Sequence, residues 1–186
     1  MPTFDLTPGN SLLLLIDVQE RFLAAIPGIA PDQAVGRNCG ILLSAAKLLG
    51  VPAIISEQVP DKLGPTVAHL VAADPAAPRL AKTAFSSWGD DGQRARIEAA
   101  HRSRVILCGI EAHVCVLATV ADLIAAGREV IVASDAVASR LDASRDAALA
   151  AARDLGALVV PTESIVFRWQ RQAGVGQFRE IAKLVK

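Results

Sequence analysis

The chain has 186 residues, 52% of them hydrophobic and 20% charged, which is enough apolar material to close one large core and excludes a disordered segment. Lys plus Arg number 19 and so do Asp plus Glu, so the formal charge is zero and no basic stretch tracks a phosphate backbone; nucleic acid is not an expected partner. The wholly apolar run at residues 12–16, like every other in the chain, is far shorter than the roughly 18 to 20 residues of a spanning helix, which excludes membrane crossing by this segment.

In chain order, the first ten residues (MPTFDLTPGN) carry neither a basic region nor an apolar signal core. Residues 11–17 (SLLLLID) then form an unbroken apolar run ending in a carboxylate, the pattern of a strand buried on both faces of a parallel sheet. Residues 31–49 read as a helix closed by Gly50, and residues 51–56 (VPAIIS) as the second strand. The stretches 59–65 and 74–78 read as loops, with a short strand at 79–81. A helix over 91–102, a strand over 104–108, a helix over 114–126, a strand over 129–133, a helix over 141–155 and a strand over 157–160 complete the alternation, and residues 177–186 read as a terminal helix. This order predicts one domain over residues 1–186, a doubly wound three-layer α/β/α fold with a mainly parallel sheet of about six strands.

Ligand sites of open α/β sheets lie at the carboxyl ends of the strands. That filter keeps Asp17, Ser56, Glu57, Lys82, the turn from Gly109 to Cys115, Ser134 and Asp135. Cys115 begins a helix, where free N–H groups and the helix dipole are expected to favour a thiolate. On position alone it is equally a small hydrophobe at a strand–helix junction. Asp17 ends a wholly apolar run, the place of a proton carrier or of a cap for the segment that follows. Lys82 alone reads as a surface cation, but a cysteine nucleophile needs a base, and a buried acid needs a cation beside it. Cys39 and Cys108 read as core residues. His113 is only two residues from Cys115, a spacing that points the two side chains apart at a helix start. Three irregularly spaced cysteines fit neither a zinc site nor a disulfide framework, and a reducing cytoplasm is expected.

Four segments, IDVQERF around Asp17, SEQVPDKLGPT after the second strand, KTAFSSW from Lys82 and GIEAHVCVLATVADLIAAGREVIVASDAVASR around Cys115, resemble the isochorismatase-like cysteine hydrolase family, in its metal-free isochorismatase domain-containing branch. The resemblance implies a catalytic triad of Asp17 as general base, Lys82 as charge partner and Cys115 as nucleophile toward a small amide or related acyl substrate. It also implies a cis peptide between Ile110 and Glu111, an oxyanion hole made by the N–H groups of Glu111 and Cys115, and a thioester acyl-enzyme. Nicotinamidases of this family bind a metal through an Asp-x-His motif after the second strand; residues 57–61 (EQVPD) hold no histidine, so neither metal nor cofactor is expected. The pocket wall is expected from Phe22, Gln58, Leu63, Phe85, Trp88 and His113. A homo-oligomer is expected, with apolar surface around Trp169 and the C-terminal helix faces. A catalytically quiet binding or scaffold protein, or a thiol redox sensor, is the alternative.

Overall fold

Six parallel strands, β1 (Ser11–Ile16), β2 (Ala53–Gln58), β3 (Arg79–Lys82), β4 (Arg104–Ile110), β5 (Glu129–Ala138) and β6 (Leu158–Val160), form one sheet in the order β3-β2-β1-β4-β5-β6. The computed structural model describes residues 4–186. Every residue of β1 is wholly buried because helices cover both faces of the sheet, so the run needs no polar alternation. Alternate β1 residues feed opposite cores: Leu13 and Leu15 join one layer, while Leu12, Leu14 and Ile16 join the other.

The first layer is built on α1 (Ala34–Leu49), α7 (Thr162–Gln170) and α8 (Phe178–Leu184), and the second on α4 (Asp91–Ala99), α5 (Leu117–Ala125) and α6 (Asp142–Asp154). α1 ends at Gly50, whose φ of 71° supplies the left-handed C-terminal residue expected there. Two short helices, α2 (Pro60–Leu63) and α3 (Ala68–Ala73), follow β2. The first lies in a stretch expected to be loop, and proline at its first position starts it. α7 was also unmarked in the sequence. Its N–H at Thr162 and that residue's hydroxyl both donate to the Asp135 carboxylate, at 2.7 Å each, so Asp135 fastens this helix to the sheet.

The strand order reverses direction between β1 and β4, which places a crevice at their carboxyl ends. β4 and β5 both run further than expected. Their register shifts between Leu107 and Gly109 and then resumes, with Gly109 opposite Val137 and Ile110 opposite Ala138, so the polar Ser134-Asp135 pair lies within β5 and does not end it. Trp169 corrects another expectation. It is only 2% exposed and donates its indole N–H to Ser11 Oγ at 3.0 Å, so it is core and not wet surface.

Candidate active site

Asp17 follows β1 directly, Lys82 ends β3, and Cys115 lies in a single π-turn, Ala112–Val116, that follows β4 and leads into α5. The crevice brings these three together. Asp17 is 1%, Lys82 2% and Cys115 7% exposed. Asp17 stands at φ 53°, a left-handed conformation that aspartate tolerates better than most residues. Behind it, Gly109 at φ 114° lets β4 pass β1. The Ile110–Glu111 peptide is cis.

Lys82 Nζ donates to Asp17 Oδ2 at 2.7 Å, to Gln58 Oε1, and to the carbonyls of Phe85 at 3.0 Å and Ala84 at 3.2 Å. These acceptors crowd the three hydrogens of the ammonium, which also acts on the neighbouring thiol through its charge and, to a smaller extent, a hydrogen bond. The other Asp17 oxygen accepts from Ser56 Oγ at 2.7 Å. Gln58 is fixed in turn by Gln19, whose Oε1 accepts from the Gln58 N–H at 2.8 Å while its Nε2 donates to the Gly64 carbonyl at 2.7 Å. Glu57 accepts from the N–H and hydroxyl of Thr66, which ties down the loop after α2.

The expectation of a ready thiolate is corrected here. Burial pushes the Cys115 thiol up to about 12, the negative charge of Asp17 pushes the same way, and the opposing pull of Lys82 is smaller. With its pKa raised this far, the thiol keeps its proton at neutral pH.

A family model described as an isochorismatase domain matches residues 11–164. The chain belongs to the isochorismatase family. Isochorismatase domain-containing protein 2 of Pongo abelii is 41% identical over 179 residues, 96% of this chain and 84% of that protein. Among solved structures, the MAR1 ribonuclease of Caenorhabditis elegans is 34% identical with a TM-score of 0.87, over 97% of this chain and 91% of that one. The YcaC gene product of Escherichia coli, an octameric hydrolase of unknown specificity, is 25% identical with a TM-score of 0.86, over 99% of this chain and 89% of that one.

The wall residues expected for this isochorismatase-family hydrolase divide. Gln58 is buried and bonded into the lysine's shell, not exposed along a wall. Phe22 is half-buried and packs on the α1-side core. Leu63 is half-buried at the end of α2. Trp88 packs on the α4–α6 core under the guanidinium of Arg128, 5.4 Å from its ring centroid. Phe85 is 62% exposed on the segment after Lys82. His113 contacts Ser139 Oγ through Nδ1 at 2.9 Å and borders a cavity of about 380 Å³ with Arg140, Leu141 and Ser144. Cys39 and Cys108 are wholly buried in the α1-side core, as read from the sequence.

Three residues of the polar network had little or no sequence signal. Gln19 lies inside the IDVQERF segment and Ser56 at a strand end, but neither declares a partner. Gln93, on a polar helix, had no mark at all.

Proposed function

We propose that this isochorismatase-family hydrolase is a cysteine hydrolase of small amides or related acyl compounds, with Cys115 as nucleophile, Asp17 as general base and Lys82 as the compensating cation. The observation that carries the reading is the buried Asp17–Lys82 pair, 2.7 Å apart, beside the buried Cys115 thiol at the carboxyl ends of β1, β3 and β4. Asp17 takes the thiol proton as sulfur attacks the carbonyl carbon, and the resulting acid donates it to the departing nitrogen. The C–N bond breaks and a thioester remains. Water then attacks, losing its proton to Asp17, and releases the carboxylic acid and the thiol. The N–H groups of Glu111 and Cys115 hold the oxyanion in this scheme. No metal or cofactor enters it.

The nematode relative is described as a ribonuclease. For this chain, zero formal charge speaks against tracking a phosphodiester backbone, and RNA belongs in the test as a comparator. A panel of small amides, with RNA alongside, is assayed with wild type, Cys115→Ala and Asp17→Asn. Turnover of an amide by wild type, lowered at least about a hundredfold in both variants, supports the reading. Turnover that survives Cys115→Ala, or RNA cleavage alone, rejects it.

We also propose a homo-oligomer, on the octameric state of the bacterial relative and on Phe85 and Leu141, 62% and 67% exposed at the crevice side of the sheet. Light scattering should give a mass of at least twice 19.5 kDa. The cytoplasm is the proposed location, on three free cysteines.

A further inference from the structure

Gln93 is 1% exposed on α4, far along the chain from Asp17, yet two hydrogen bonds join them. Its Nε2 donates to the Leu80 carbonyl at 2.8 Å and to Ser56 Oγ at 3.1 Å, and Ser56 Oγ donates to Asp17 Oδ1 at 2.7 Å. The directions are forced. A carbonyl can only accept, so the amide must turn its NH₂ toward Leu80, and the second hydrogen of that NH₂ then meets Ser56. With its oxygen accepting from Gln93, the Ser56 hydroxyl has its hydrogen free for one acceptor, the Asp17 carboxylate. The Gln93 Oε1 left over is buried with no hydrogen-bond partner among the described residues, so this orientation is held at the expense of an orphaned acceptor.

We propose that Gln93 and Ser56 are positioning residues that hold Asp17 as an ionised proton acceptor for Cys115, with Gln93 acting only through the direction it imposes on the Ser56 hydroxyl. The proposal rests on the hydrolase reading for its use of Asp17 as base. The titratable groups facing Asp17 are Lys82 from β3 and Cys115 from the π-turn; Ser56 from β2 completes the ring. Lys82 occupies Oδ2 and Ser56 occupies Oδ1, so the carboxylate cannot rotate without losing one of them. A hydrogen bond to the charged form stabilises that form, and without Gln93 the hydroxyl is free to turn elsewhere.

The test combines pH profiles with a double-mutant cycle. For a turned-over amide, Ser56→Ala and Gln93→Leu should each lower kcat/KM about tenfold at the acid limb, with recovery as pH rises, the size expected for one hydrogen bond to a charged group. Combining them should cost no more than Ser56→Ala alone, and Ser56→Thr should restore the wild-type profile. A loss equal at every pH, or additive losses, overturns the proposal. The carboxyl-carbon NMR resonance of Asp17, recorded at pH 7 in wild type and both variants, reads the lost Ser56 hydrogen bond without substrate. Its chemical shift should be displaced in both variants, and an unchanged shift overturns the proposal. Absence of amide turnover in wild type, with the resonance still displaced, overturns the hydrolase reading alone.

Discussion

Asp17 Oδ2 and Lys82 Nζ lie 2.7 Å apart with side-chain exposures of 2% and 0%, an ion pair closed off from water on every side. Its Coulombic gain is offset by desolvation of both charges, so removing one partner leaves the other stranded. Lys82→Met should therefore destabilise the fold by about 3–5 kcal/mol, read by urea unfolding. The double variant Lys82→Met, Asp17→Asn removes both charges and should be more stable than Lys82→Met alone. Equal or lower stability of the double variant would show that the two charges are not coupled.

Gly109 makes a second, steric prediction. A Cβ at this position would stand 2.1 Å from the Ile16 carbonyl oxygen and 2.7 Å from the Ile16 nitrogen, and both are backbone atoms of the central strand that cannot swing aside. Its φ of 114° lies where L-residues are strained as well. Gly109→Ala should cost at least about 3 kcal/mol in the same unfolding assay. A loss below about 1 kcal/mol would mean that β1 and β4 yield more easily than this packing allows.

The strands were legible because fully buried parallel strands must be nearly continuous apolar runs, and β1 carries five such residues in a row, residues 12–16. Asp17 stood out as the carboxylate ending one of those runs and Cys115 as a thiol at the start of the helix after another, and the family resemblance joined them with Lys82. Longer-range terms were not legible. The second half of β5 depends on a register shift against β4, and the polar Ser134-Asp135 pair hides it. Gln93 is a polar residue in a polar helix whose burial against Ser56 arises only when α4 packs on the sheet. The state of Cys115 was misread for the same reason, since helix position is local while burial and the Asp17 charge are set by three separate strands.

Metal dependence gives a third prediction. Glu57, the carboxylate nearest in sequence to the place where nicotinamidases bind a metal, is engaged by the Thr66 N–H at 2.8 Å and hydroxyl at 2.7 Å. Among the described residues no group of three His, Cys, Asp or Glu side chains converges as a metal site. Prolonged EDTA treatment should leave both the unfolding midpoint and any amide turnover unchanged. Loss of either, with recovery on adding back zinc or manganese, would reject a metal-free site.

The last prediction follows the Cys115 proton into stability. An ordinary cysteine loses its proton near 9, whereas burial and Asp17 hold this thiol up to about 12. Below pH 9 both folded and unfolded chains keep the proton, so the group makes stability neither rise nor fall. Between about 9 and 12 the unfolded chain has released it and the folded chain has not; fewer protons are bound in the unfolded state, and stability falls as pH rises, by about 1.4 kcal/mol per unit at most. Cys115→Ala removes this contribution, so the stability difference between wild type and variant should be flat to pH 9 and then slope against wild type. Thiolate absorbance checks the same titration directly, free of tyrosinate because the chain has no tyrosine. In Asp17→Asn the charge that opposes ionisation is gone while Lys82 remains, so the Cys115 titration should move to lower pH and iodoacetamide should label it faster at pH 9. A wild-type stability difference that stays flat beyond pH 9, together with rapid labelling of Cys115 at neutral pH, would show a thiolate already formed and remove Asp17 from the role of its base.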